Sequence, residues 1–183
     1  MAVRRVRIYG DPVLKSRAAE VTEFGARLRG LVEDLRETMT AYHGVGLAAN
    51  QVGVLERVLV VDVPIEGEER ARLTLVNPVV TRRSGSQSGE EGCLSIPGVY
   101  EEVGRSLRIE LEARDESGRP LALELEAYLA RAIQHEIDHL DGVLFVDRLS
   151  LLKRQFLKGQ LEALARGEMP EDYQPPPVRG GSR

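Results

Sequence analysis

The sequence predicts an α+β fold, in which small antiparallel sheets pack around a central helix and further helices lie toward the N-terminus and the C-terminus. Apolar residues recur at helical spacing in three stretches, and several strand-like runs lie between the first and the second of them. These elements do not alternate as βαβ units would. With 183 residues, the chain suits one domain, which we expect over residues 1–169, followed by a Pro/Gly-rich flexible tail over residues 170–183.

The first part of the domain is predicted to be a helix followed by two strands. The helix is expected over residues 24–42, where apolar residues form one face and Gly44 follows as a stop signal. The Val-rich run Val58–Val63 suits a buried strand. A further strand is predicted over residues 73–80, where Pro78 indicates an edge strand or a break because proline cannot donate to a sheet.

The second part of the domain is predicted to contain a hairpin and two helices. Apolar and polar residues alternate over residues 107–113 and again over residues 121–125, with a turn at residues 115–118 between them. A helix follows over residues 127–141, and another over residues 149–165. The buried face of the former is marked by Leu129, Ile133, Ile137 and Leu140.

Charge and cysteine content limit the class of protein. The formal net charge is -4 and the pI is near 5.5, which argues against nucleic acid, and so against specific DNA, as the main partner. The single cysteine, Cys93, excludes an internal disulfide and indicates no oxidising compartment. Neither a secretory signal nor the ~18 apolar residues of a membrane helix are recognisable. We therefore expect a cytoplasmic protein that does not act at a membrane.

The segment His135-Glu136-Ile137-Asp138-His139 is the strongest indication of chemistry. Four residues make about one helical turn, so both histidines project from one face of the predicted helix and can hold one metal ion. Glu136 lies beside them and could act as general base for a water molecule on that metal. The alternative is a solvated helix face, but two of the three histidines in the chain lie here.

A catalytic metal site needs a third ligand from elsewhere in the chain. Metzincin-type proteases have a third histidine six residues after this motif, where this chain has Phe145. Cys93 is the remaining candidate. It follows two acids and Gly92, whereas a cysteine that is merely a buried small hydrophobe would be expected in an apolar segment. One cysteine and two histidines would leave a metal position open for water.

A third candidate segment, GVGLAANQ, occupies residues 44–51. Its glycines suit a backbone that approaches another group closely, although a tight turn after the helix would also explain them. The amide of Gln51 could donate a hydrogen bond to a developing oxyanion, and a surface glutamine is the alternative.

Together these segments resemble the peptide deformylase family. That family carries G-apolar-G-apolar-A-A-x-Q, E-G-C-apolar-S and Q-H-E-apolar-D-H in this order, and this chain has GVGLAANQ at 44–51, EGCLS at 91–95 and QHEIDH at 134–139. The resemblance covers about residues 8–150. It implies a metal-dependent hydrolase that removes the formyl group from the N-terminal formyl-methionine of new polypeptides and releases formate.

The resemblance also implies roles for the residues of the site. The central helix would be a metal-binding helix, and the ligands of one divalent metal ion would be Cys93, His135 and His139. Glu136 would be the general base, while Gln51 and the backbone N–H of Leu94 would bind the formyl oxygen. The family implies Fe²⁺ in the cell and Zn²⁺ or Ni²⁺ in isolated protein, whereas the ligand types alone would suggest Zn²⁺.

Substrate contacts are implied in the same way. Gly46 would pair with the backbone of the formyl-methionyl peptide, which would lie alongside like an added strand, and Gly92 would permit a close approach. The methionine side chain would lie among Val45, Tyr128, Arg131 and Ala132. Two of these, Tyr128 and Arg131, are less apolar than such a pocket would be expected to be. Nascent chains would be the partners, and a transient ribosome contact through the basic residues of the last helix stays open.

Two other functions stay open when the residues are considered without the resemblance. A zinc peptidase would share the histidine motif but would leave Cys93 and Gln51 unexplained. A binding module with a structural metal would want four protein ligands, and only three good ones are present. Turnover of a formyl-methionyl peptide, compared with cleavage of an internal peptide bond, would separate these functions.

Overall fold

The computed structural model describes residues 2–65 and 70–178, so residues 179–183 of the predicted tail lie outside the described residues. Three α-helices are described, α1 (Ala26–Ala41), α2 (Ala127–Leu140) and α3 (Leu151–Ala165). The strands are β1 (Gly46–Ala48), β2 (Val58–Val63), β3 (Ala71–Ser84), β4 (Gln87–Cys93), β5 (Ile96–Arg105), β6 (Arg108–Arg114) and β7 (Pro120–Glu126). None of the helices in this part of the chain has the length and apolar character needed to cross a membrane.

The strands form two antiparallel sheets, and α1 and α2 lie on opposite faces of the larger one. That sheet has the order β1-β2-β3-β6-β7, while β4 and β5 form a separate hairpin. Successive side chains of a strand point to opposite faces. Accordingly, Leu59 and Val61 of β2 pack with residues of α2, whereas Val58 and Val60 pack with residues of α1. A third core lies between α3 and β5, around Phe145.

The predicted α+β class is confirmed, and so are the three predicted helices, with ends that differ by at most two residues. The predicted hairpin is the pair β6 and β7, in which Ile109 lies opposite Leu125 and Leu111 lies opposite Leu123. The helix α2 is more central than its apolar face alone indicates. Nine consecutive residues, 132–140, are buried, including the polar ones.

Two features of the sheets differ from expectation. The strand predicted over residues 73–80 is the longer β3, and it lies between β2 and β6, so the edge position suggested by Pro78 is wrong. The break is confirmed, because the pairing of β3 with β6 shifts register between Val76 and Val79, where the proline would otherwise have to donate. The hairpin of β4 and β5 was not predicted, although it carries Cys93.

Candidate active site

The three predicted metal ligands converge although they come from two elements. Cys93 is the last residue of β4, while His135 and His139 lie one turn apart on α2. One donor atom from each residue lies within 4.8 Å of the other two, and Cys93 Sγ is 3.2 Å from Nε2 of His139. A thiolate and two imidazoles are a donor set that zinc and iron accept. The residues present therefore fit a divalent transition metal.

A buried network of charges holds His135 in place. Its Nδ1 is 2.9 Å from Oε2 of Glu91, which leaves Nε2 for a metal. Glu91 accepts hydrogen bonds of 2.7 and 2.8 Å from Arg105, and Arg105 also donates to Asp138 at 2.5 Å. Burial would raise the pKa of Glu91, but the hydrogen bonds from Arg105 and His135 outweigh it and lower the pKa to about 2. Glu91 is therefore a carboxylate throughout the neutral range.

Glu136 is a buried carboxyl group beside the ligands. Within the described residues, its Oε2 has no hydrogen-bond partner, and burial raises its pKa to about 7. A Cβ atom at position 46 would lie 2.4 Å from Oε1 of Glu136, so Gly46 is the residue that lets this carboxyl group approach β1. The group can gain or lose a proton near neutral pH, as a general base requires.

Gln51 is 2% exposed, which excludes a surface glutamine. Its Oε1 accepts a hydrogen bond of 2.9 Å from the N–H of Ala48, and this contact fixes which way the amide points. The Nε2 atom donates to Ser95 Oγ at 3.1 Å and lies 3.6 Å from Cys93 Sγ. An N–H donor of Gln51 is thus held beside a candidate metal ligand.

These groups lie at one cleft of about 650 Å³. The structure brings nearly every predicted site residue to this cleft: Val45, Gly46, Gln51, Gly92, Cys93, Leu94, Tyr128, Arg131, Ala132, His135 and Glu136. The exception is His139, which lies behind the wall of the cleft and is 1% exposed.

The sequence did not reveal several other residues in or behind the cleft. Arg105 had no local pattern to mark it, since its partners Glu91 and Asp138 are distant in the chain. Tyr100 covers Gly92, where a Cβ would lie 2.5 Å from its ring. Residues 170–176 of the predicted tail have no helix or strand, yet five of them line the cleft, namely Pro170, Asp172, Tyr173, Gln174 and Pro176. Flexibility of the tail stays a prediction.

Comparison with known proteins agrees with this geometry. The polypeptide deformylase family matches residues 3–155. A peptide deformylase from Alkalilimnicola ehrlichii is 49% identical over 166 residues, which cover 91% of this chain and 93% of that protein. The crystal structure of peptide deformylase from Thermus thermophilus has 45% identity and a TM-score of 0.83, covering 90% of this chain and 98% of that one. Peptide deformylase from Ehrlichia chaffeensis in complex with actinonin has 37% identity and a TM-score of 0.84, with 92% and 99% covered. The chain belongs to the polypeptide deformylase family.

Proposed function

We propose that the cleft binds N-formyl-methionyl peptides and that Glu136 and Gln51 act on the formyl group beside a divalent metal held by Cys93, His135 and His139. Members of the family remove the N-formyl group from nascent polypeptides, and the chain is a hydrolase of this kind. One observation carries the proposed roles: a thiolate, two imidazoles and a buried carboxyl group with a raised pKa meet at a single cleft.

Glu136 is proposed to move the protons of the reaction. A divalent metal at the three ligands would lower the pKa of water and polarise the formyl oxygen. Glu136 takes a proton from the attacking water and then gives it to the nitrogen of the leaving amine. A pKa near neutrality suits both steps, because the carboxylate must accept a proton and must also release it. The metal dependence of the family is consistent with a metal that activates water and with a Glu136 that transfers the protons.

Gln51 and the backbone N–H of Leu94 are proposed to donate to the formyl oxygen as it gains negative charge. Gln51 Nε2 lies 3.6 Å from Cys93 Sγ, and Leu94 directly follows Cys93, so both donors are next to a metal ligand. Fixed donors of this kind stabilise an oxyanion without reorganisation. The contact of Gln51 with Ala48 keeps its carbonyl group away from this position.

The peptide is proposed to lie along β1. This strand pairs only with β2 among the described strands, so its other edge is available to an extended peptide. Gly46 lies on β1 beside Glu136, which would place the peptide backbone next to the chemical groups. The methionine side chain then lies toward Val45, Tyr128, Arg131 and Ala132. A formyl carbon carries only hydrogen, so a narrow site can reject acetyl groups.

The test compares three substrates with metal-loaded protein of measured metal content. We expect formate release from formyl-Met-Ala and no turnover of acetyl-Met-Ala or of an internal peptide bond. Cleavage of the internal bond would instead favour the zinc peptidase. Absence of any formyl-peptide turnover at full metal occupancy would favour a binding module with a structural metal.

Fe²⁺ is proposed as the metal in the cell. Zn²⁺ usually has four ligands, whereas Fe²⁺ accepts a fifth more readily. A metal held by the three protein ligands would have to accept both water and the formyl oxygen, which would favour Fe²⁺. Fe²⁺ protein prepared without air should therefore turn over formyl-methionyl peptides faster than the Zn²⁺ form. In air it should lose activity with oxygen added at Cys93, while a Ni²⁺ form stays active. Equal rates for iron and zinc would contradict the coordination argument, and inactivation with unmodified Cys93 would contradict the oxidation argument.

The nascent-chain substrate also suggests where the protein acts. We place it in the cytoplasm, in transient contact with the ribosome. On α3, Lys153 is paired with Glu101 at 2.7 Å and Lys158 lies 3.8 Å from Glu162, so among the described residues Arg154 is the basic residue of this helix that has no ion pair. Sedimentation with ribosomes at low and moderate salt tests the contact, which should be weak and salt-sensitive.

A further inference from the structure

Arg131 is an unusual residue for the wall of an apolar side-chain pocket, and its position is well defined. It lies on α2 one turn before His135, so it borders the same cleft. Its guanidinium carbon is 5.1 Å from the centre of the Tyr128 ring. A Cβ atom at position 89 would lie 1.5 Å from Nη1 of Arg131. The guanidinium therefore packs against the bare backbone of β4 at Gly89 and against Tyr128.

No group among the described residues accepts a hydrogen bond from Arg131. Within residues 2–65 and 70–178, Arg131 has neither a hydrogen bond nor an ion pair, whereas the buried Arg105 and the nearby Arg148 are both bonded to Asp138. Arginine donors in a planar fork match carboxylate geometry. A guanidinium already held between two surfaces also loses less freedom when it binds a ligand. The arrangement thus has the geometry of a group that recognises anions.

We propose that Arg131 is a specificity-determining residue that binds a carboxylate of the substrate peptide next to the formyl-methionine. This inference rests on the proposed function, because that function makes the occupant of the cleft a peptide. A peptide offers a carboxylate in two ways, as an acidic side chain after the methionine or as the chain terminus of a very short peptide. Both sources present the same chemistry to the guanidinium.

The acids around the cleft do not supply this carboxylate themselves. Glu91 is committed to Arg105 and His135. Glu90 and Asp172 line the cleft but are exposed, and neither forms an ion pair with Arg131. Both carboxylates are in contact with solvent, where the attraction between opposite charges is weak. Glu90 and Asp172 therefore leave the donors of Arg131 available to a substrate carboxylate.

Peptide binding can be measured separately from turnover. Metal-loaded Glu136→Gln protein is titrated by calorimetry with amidated formyl-Met-Glu-Ser and formyl-Met-Gln-Ser, and with formyl-Met-Ala as the free acid and as the amide. In at least one of these two pairs, we expect the peptide with the additional carboxylate to bind roughly tenfold more tightly than its neutral counterpart. That ratio is in the range of a hydrogen bond to a charged group. Arg131→Met in the same background should abolish that preference. Gly89→Ala should do so as well, because its methyl group displaces the guanidinium.

The matched control is Arg29→Met, which removes the same charge from an exposed position on α1 away from the cleft and should keep the preference. Equal affinities within both pairs would overturn the proposal. A preference for the carboxylate peptide that survives Arg131→Met would also overturn it. So would an equal loss of affinity for all four peptides in Arg131→Met, because Arg131 would then contact neutral groups of the peptide. Failure of wild-type protein to deformylate any peptide would instead contradict the proposed function, while the affinities still decide the role of Arg131.

Discussion

The two walls of the cleft are built differently. The metal wall consists of the proposed metal ligands, Glu136 and Gln51, with a second layer of Glu91, Arg105 and Asp138 behind them. The three side chains of the second layer are buried and are joined by hydrogen bonds from Arg105. The substrate wall consists of Tyr100, Tyr128, Arg131 and residues 170–176. Tyr100 is 64% exposed and Tyr128 is 41% exposed. We propose that the first wall carries out the chemistry and that the second wall determines which peptide is accepted.

The difference follows from the energetics of buried charge. Removing one partner of a buried ion pair leaves the other charge uncompensated and costs about 3–5 kcal/mol. Changes at exposed positions are usually within about 0.5 kcal/mol. Substitutions in or next to the metal wall should therefore alter kcat, metal content or stability. Substitutions in the substrate wall should alter KM and peptide preference alone.

Glu136→Ala should have the largest effect. The variant should keep its metal and lose ~10²–10⁴-fold in kcat, the scale of one acid–base group. Burial raises the pKa of Glu136, so the base is lost as the pH falls through that pKa. The wild-type rate should accordingly decline on the acidic side, and the variant should lack this decline. A metal-loaded variant that works near the wild-type rate would show that the base is another group.

Gln51→Ala should lower kcat by ~10²–10³-fold, the cost of one oxyanion donor. The amide is fixed by Ala48 and Ser95, so its contribution should appear in the transition state more than in substrate binding. Steady-state kinetics with one formyl-methionyl peptide separates an effect on kcat from an effect on KM. A rise in KM with unchanged kcat would instead show that Gln51 contributes to substrate binding, as we expect of the residues in the substrate wall.

The sequence predicted the fold and the metal wall only where the chain has a local pattern. His135 and His139 are one turn apart, and the hairpin of β6 and β7 alternates regularly, so both were recognisable. Arg105 was not, because its contacts with Glu91 and Asp138 span 14 and 33 residues. The hairpin of β4 and β5 was missed since several glycines interrupt its alternation and since β4 consists mainly of polar residues and glycine.

Glu91→Gln tests whether the second layer of the metal wall matters. The amide keeps the size of the side chain but loses the charge that faces Arg105 and His135. Metal affinity should fall by ~10–100-fold, as for other partners of ligating histidines. Competition with a chelator measures this, and kcat at full metal occupancy should change less than affinity. Glu90→Gln is the matched control, because the exposed Glu90 has no such partners and should leave affinity unchanged.

Truncation after Met169 should have the smallest effect. It tests how much the segment after residue 169 contributes to the substrate wall. Pro170 packs near Gly98 and Tyr173 is half-buried, but the other residues of this segment are mostly exposed. Little apolar surface is lost, so the melting temperature and kcat should be nearly unchanged. The loss of part of the cleft lining should raise KM about twofold to threefold, the size of a surface contact. Tyr173→Ala in the full chain should reproduce much of that rise in KM, because the ring of Tyr173 is part of the lining that the truncation removes. A melting temperature lower by several degrees would place residues 170–178 within the folded domain and would contradict the division at residue 169.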